Sequence, residues 1–158
     1  MTSAVQHRVR TQDGIALAAD CYGHDDARPV VLLLHGGGQN RHAWSTSARR
    51  LHACGYTVVA YDTRGHGDSD WDPAGRYDIE RLATDLLAVR EHFSAYTAPA
   101  VVGASLGGMT VLGTLNNCSM GVTPWGTYLA CEENWHQYFV NRDKADFVTN
   151  EFRRSRRK

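Results

Sequence analysis

The sequence predicts an α/β fold, a mainly parallel sheet with helices on both faces. Three observations carry this reading. Continuously apolar runs recur at residues 30–34 and 56–61, as expected of strands covered on both faces. Helical segments alternate with them: residues 42–54 run up to a terminal Gly55, and residues 77–93 place apolar side chains at Ile79, Leu82, Ala83, Leu86, Leu87, Val89 and Phe93, the spacing of an amphipathic helix. Finally, a short apolar run, Ala100 to Val102, passes straight into Gly103-Ala104-Ser105-Leu106-Gly107, the pattern of a sharp strand-to-helix turn.

Length and composition set the bounds. A chain of 158 residues suits one domain and can bury roughly 68–70% of its unfolded surface. Hydrophobic content of 42% and charged content of 22% are those of an ordinary globular protein. The formal net charge is zero, so no global field argues for nucleic acid or a membrane as partner. No apolar run approaches the ~18 residues that span a bilayer, and residues 1–8 lack a signal-peptide core. Cys21, Cys54, Cys118 and Cys131 are widely spaced with no C-x-x-C. Reduced, mostly buried thiols in a cytoplasmic protein are expected, for Cys21 and Cys54 above all.

Taken in order, residues 7–11 alternate as a strand, Gln12-Asp13-Gly14 is a turn signal, and residues 15–22 form a second strand, giving an opening hairpin. A polar loop leads to the strand at 30–34, which ends in His35-Gly36-Gly37-Gly38. A strand running into glycines and then a helix fits a backbone site for an anion or oxyanion; a flexible βα turn is the plainer alternative. No G-x-G-x-x-G occurs here, so this is not a dinucleotide fingerprint. After the strand at 56–61 comes Asp62-Thr-Arg-Gly-His-Gly-Asp-Ser-Asp70. Its carboxylates and His66 match no standard ligand spacing, so a hydrogen-bonded structural loop is expected rather than a metal site. Asp78 is placed to cap the helix over 77–93.

At the strand-to-helix turn, glycines two before and two after Ser105 let neighbouring backbone pass without a Cβ clash. The following helix aims its first N–H groups and positive dipole end at the serine. In an alternating α/β sheet, ligands bind at the carboxyl ends of the strands. His35-Gly36-Gly37-Gly38 and Ser105 both lie at such ends, so they are expected to meet in space.

Residues from about 7 to 112 resemble the α/β-hydrolase family, in particular its small cytoplasmic esterases, C–C hydrolases and cofactor-free perhydrolases. Leu34-His-Gly-Gly-Gly38, Asp62-Thr-Arg-Gly-His-Gly-Asp-Ser69 and Val102-Gly-Ala-Ser-Leu-Gly-Gly108 carry the match in the family's order. The resemblance implies a truncated α/β-hydrolase, with Ser105 as nucleophile and the backbone N–H groups of Gly37 and Leu106 as oxyanion donors. Dehalogenases and epoxide hydrolases of this fold place an aspartate at the turn, so the serine disfavours those activities. In the family an acid and then a histidine follow the serine. Here only His136 follows Ser105, with Glu132, Glu133, Asp143 and Asp146 crowded around it. His136 is the candidate base; a surface histidine in a polar segment is the plainer alternative, and the triad is expected to be incomplete.

Residues from about 113 to 139 resemble a segment of the PhoX-type alkaline phosphatases, β-propeller enzymes with an iron–calcium centre. The Asn-Asn-Cys and Thr-Pro-Trp-Gly-Thr-Tyr runs carry that match. By it, Cys118 stands at the place of an iron ligand and one of Glu132 and Glu133, Glu133 by preference, at that of a calcium ligand. A multinuclear site needs more carboxylates from distant strands, and a propeller needs repeated blades, so neither metal nor cofactor is expected here. The expected organisation is a partial hydrolase domain over 1–112, a phosphatase-like segment over 113–139 that is no independent domain, and a polar, basic tail over 140–158 ending in Arg-Arg-Ser-Arg-Arg-Lys. Such a mosaic leaves a sheet edge bare, with residues 127–130 apolar enough to act as a substitute edge strand.

The functional expectation is a serine hydrolase acting on a small-molecule ester or related acyl substrate, with neither nucleic acid nor membrane as partner and self-association through the bare sheet edge as the other contact. The competing expectations are a catalytically inactive hydrolase-derived fragment or assembly module and, further off, a metal-dependent phosphatase fragment.

Overall fold

The structure, a computed structural model, describes residues 3–23, 28–93, 99–112, 117–122 and 128–132. Within them, strands β1 (Val5–Arg10), β2 (Ala16–Tyr22), β3 (Val30–Leu34), β4 (Thr57–Tyr61), β5 (Ala100–Ala104), β6 (Asn117–Val122) and β7 (Tyr128–Glu132) alternate with helices α1 (Ser45–Ala53), α2 (Ile79–Phe93) and α3 (Leu106–Leu112). All these strands join one sheet in the order β1-β2-β4-β3-β5-β6-β7. Its centre, β4-β3-β5, is parallel. The flanking pairs are antiparallel, beginning with the hairpin that the Gln12-Asp13-Gly14 turn predicts.

The apolar run of β3 is buried at all five positions because both of its faces are covered. Leu32 and Leu34 share a core with Leu17, Val59, Tyr61 and Val89, against which Leu86 of α2 and Val111 of α3 pack. Val31 and Leu33 face the other way, into a core with Val58, Ala60 and Ala48 of α1. The two-residue period of the strand thus feeds two helical layers, with α1 on one face and α2 with α3 on the other. Fully burying each such leucine contributes roughly 1.5–3 kcal/mol.

Helix starts differ from the sequence-based expectation by a few residues, for local reasons. The helix expected over 42–54 begins as a 3₁₀ turn at Arg41–Trp44, because the Asn40 side chain accepts a bond from the His42 N–H and tightens the entry. The helix expected over 77–93 starts at Ile79, because the Asp78 carboxylate accepts from the Arg81 N–H at 2.8 Å and so stands as the cap.

Cys54 corrects a second expectation. It is exposed, whereas Cys21 is buried. Cys54 lies just past the last residue of α1, where the chain turns through Gly55 at φ +95 on the solvent side. Cys21 lies within the core, where burial pushes its thiol up to about 11.

Beyond α3, β6 pairs antiparallel with β5, with Val101 opposite Val122. The edge segment proposed at 127–130 falls largely in β7, which is an edge strand but lies outside β6 rather than directly on β5. The polar Asn117-Cys118-Ser119 start of β6 hides it from apolar-run reasoning. Among the described residues, no helix is long and apolar enough to cross a membrane.

Candidate active site

Because β4, β3 and β5 are parallel neighbours, their carboxyl ends open onto one edge of the sheet. Asp62, His35 and Ser105 each stand just past or beside such an end. The sequence-based expectation that the His35 loop and Ser105 meet is met: a Cβ built on Gly36 would lie 3.4 Å from Ser105 Cβ, and one on Gly37 would lie 3.9 Å from Leu106 Cβ.

Ser105 occupies the turn between β5 and α3, is exposed, and has φ +49. It is the one non-glycine residue with positive φ among the described residues. The conformation costs a side-chain-bearing residue roughly 1–2 kcal/mol. Its carbonyl accepts from the Met109 N–H at 2.9 Å, the first bond of α3. The flanking glycines are required by close approach. A Cβ on Gly103 would sit 2.4 Å from the Gly107 carbonyl carbon, and one on Gly107 would sit 2.5 Å from the Leu34 carbonyl oxygen. Both contacts are with backbone, which cannot swing aside.

Opposite Ser105, the chain after β3 folds into a turn closed by the Gln39 N–H donating to the Gly36 carbonyl at 3.1 Å. Its third position is Gly38, at φ +73, a conformation that suits glycine. His35 is fully buried beneath it and bridges two loops. Its Nδ1–H donates to the Gly36 carbonyl at 2.8 Å, and its Nε2 accepts the Thr63 N–H at 3.1 Å. That pattern requires the neutral ring, and burial holds its pKa below the ordinary histidine value. His66 stands beside it, ring centroids 5.1 Å apart, and its Nε2 accepts the Gly38 N–H at 3.3 Å.

The loop at 62–70 is the hydrogen-bonded structural element expected. The buried Asp62 carboxylate accepts the Asp68 N–H at 2.9 Å and pairs with Arg41. A Cβ on Gly67 would lie 2.1 Å from that carboxylate. Arg41 also bonds Asp20 at 3.0 Å and Asp68 at 2.8 Å; burial opposes its charge, but these carboxylates outweigh it and raise its pKa. Arg64 is equally buried, with Asp85 at 2.6 Å, Asp72 at 3.1 Å and Asp13 at 3.2 Å. The two arginines tie the loop to β2, to α2 and to the turn of the opening hairpin, so that it backs the His35 turn as a fixed wall.

Among the described residues, no histidine or carboxylate forms a hydrogen bond with Ser105, and no group of three or more His, Cys, Asp or Glu could hold a metal. Cys118 lies in β6 and Glu132 ends β7. His136, Glu133, Asp143, Asp146 and the tail over 140–158 lie outside the described residues. The sequence reading missed Gln39, whose side-chain oxygen accepts the Gly36 N–H at 3.1 Å; the signal was an amide side chain directly after three glycines, within reach of the turn it closes.

The similarities to known proteins follow the same outline. An esterase of Mycobacterium tuberculosis is 43% identical over 84 residues, which cover 53% of this chain and 27% of that one. A 3-oxoadipate enol-lactonase of Acinetobacter baylyi is 35% identical over 100 residues, covering 63% of this chain and 36% of the relative. Among solved structures, an esterase from Exiguobacterium antarcticum superposes with a TM-score of 0.62 at 28% identity, over 69% of this chain and 39% of that one. An epoxide hydrolase from Vigna radiata gives 0.63 at 27% identity, over 70% and 33%. The chain therefore spans well under half the length of these relatives. A family model described as alpha/beta hydrolase fold matches residues 29–115, more than half of the chain and all three loops of the site, and the chain belongs to that family.

Proposed function

We propose that this chain carries the nucleophile and oxyanion half of a serine hydrolase site for an ester or related acyl substrate. The observation that carries the reading is Ser105 at φ +49, held between β5 and α3 beside the Gly36–Gly37 turn. Ser105 Oγ attacks the acyl carbon, and the carbonyl electron pair moves onto oxygen. The Gly37 and Leu106 N–H groups stabilise that oxyanion. A base takes the serine proton and delivers it to the departing alkoxide as the tetrahedral intermediate collapses; water then releases the acyl group. His136 is the base we propose; Glu132, Glu133, Asp143 and Asp146 crowd around it in sequence, so none is assigned as its acid. The relatives named esterase and lactonase support an acyl substrate, and a serine at 105 favours acyl transfer over epoxide opening. We read the compartment as cytoplasmic and the triad within this chain as incomplete.

An incomplete triad still leaves chemistry: in serine proteases, loss of one member leaves a rate roughly 10³–10⁴-fold above water. The test is hydrolysis of p-nitrophenyl acetate by the parent, Ser105→Ala and His136→Ala. Loss in both variants supports the full reading. Loss in Ser105→Ala alone supports a serine site without His136. A parent no faster than Ser105→Ala supports instead an inactive hydrolase-derived module, whose sheet edge would favour self-association.

A second proposal concerns residues 113–139. The family match ends at residue 115, a few residues past the point where the sequence changes character. This supports a different origin for that segment, which we continue to read as phosphatase-like.

A further inference from the structure

We propose that Gln39 and His66 are positioning residues that aim the Gly37 amide at the space above Ser105, an inference that rests on the serine-hydrolase reading. Three consecutive amides stand in this turn. The Gly36 N–H donates to Gln39 Oε1 at 3.1 Å. The Gly38 N–H donates to His66 Nε2 at 3.3 Å. The Gly37 N–H, between them, has no acceptor among the described residues.

The planarity of the peptide turns this into direction. The Gly36 carbonyl and the Gly37 N–H belong to one trans peptide and point opposite ways. That carbonyl accepts from both the Gln39 N–H at 3.1 Å and His35 Nδ1–H at 2.8 Å, so the Gly37 N–H is turned away from the interior of the loop. The two peptides flanking it are pinned by side chains, Gln39 on one side and His66 on the other. With Nε2 accepting, the His66 proton is on Nδ1, which faces the Arg64 carbonyl and Thr63 Oγ1, each at 3.2 Å. The loop at 62–70, fixed by its buried arginines, thereby sets the height of the turn. Gly36 and Gly37 carry no side chain that could hold the turn, so the positioning falls to their neighbours.

The test is amide hydrogen exchange at Gly36, Gly37 and Gly38, read by NMR in the full chain, together with the kinetics of labelling by a fluorophosphonate. Gln39→Ala is expected to speed exchange at Gly36 by about threefold to tenfold, the usual worth of one hydrogen bond, and Gln39→Glu, which keeps a side-chain oxygen, to restore it. His66→Ala is expected to do the same at Gly38, and His66→Gln to recover part of the protection. In the labelling, Gln39→Ala lowers the saturating rate by a similar factor while the half-saturating concentration holds. Unchanged exchange in both alanine variants overturns the inference, as does an effect on half-saturation alone. An unlabelled parent ends the serine-hydrolase reading, and the exchange arm then decides by itself whether Gln39 and His66 hold the turn.

Discussion

Gly107, in the first turn of α3, lies against the carbonyl of Leu34 at the end of β3: a Cβ there would come within 2.5 Å of that oxygen. This approach lets the serine turn and the His35 turn share one edge of the sheet, because α3 starts directly over the end of the neighbouring strand. Gly107→Ala must therefore shift backbone rather than a side chain. Denaturant unfolding is expected to show a loss of about 3 kcal/mol, with Gly103→Ala similar.

The backbone of Ser105 stores strain that only a glycine would relieve. Ser105→Gly and Ser105→Ala both remove the hydroxyl, but glycine adopts φ +49 freely. The glycine variant is expected to unfold about 1 kcal/mol later than the alanine variant, a reversal of the usual order in which glycine is the weaker residue. Parallel urea melts of the two would measure it.

Arg64 is a fully buried charge. Its pairing with Asp85 and Asp13 raises its own pKa, while burial raises that of Asp85. Arg64→Met leaves Asp85 without its partner and is expected to cost about 3–5 kcal/mol. Asp85→Leu in the same chain removes the stranded carboxylate, so the double variant should lose less than the sum of the singles in a double-mutant cycle.

His35 and the depressed carboxylates Asp13, Asp72 and Asp78 set the acid response. The folded pKa of His35 is depressed by burial, so its contribution to stability is complete above the ordinary value of 6.5 and is lost as pH falls from there toward the depressed value. Asp13 is held down to about 2 by bonds from Thr11 and Arg64, so its contribution is complete above 3.8 and is lost between 3.8 and about 2. Asp85, raised by burial, works in the opposite direction. Stability measured against pH should fall in two steps on acidification. His35→Gln should remove the upper one, and the Asp13 step should be worth about 1 kcal/mol after solvent screening.

Much of this arrangement is written in local chemistry. The strands at β3 and β4 declare themselves because both faces are buried, and Asp78 declares the start of α2 because a cap needs a short acceptor side chain. Gly103 and Gly107, which bracket Ser105, are legible because a Cβ at either position would meet backbone. The ion pairs of Arg41 and Arg64 were not legible: Asp20, Asp85 and Asp13 reach them from 21 or 51 residues away in sequence, and only the sheet order brings them together. Gln39 was missed because its role depends on where a turn points a single amide. The pairing of β6 with β5 was missed because the polar start of β6 lacks the apolar signature of the central strands.

The central claim is that the turn at Ser105 presents a working nucleophile, and intact-mass measurement after exposure to a fluorophosphonate tests it most directly. A single covalent adduct that maps to Ser105 and disappears in Ser105→Ala is expected. A folded parent that gains no adduct, or one whose adduct persists in Ser105→Ala, would contradict it.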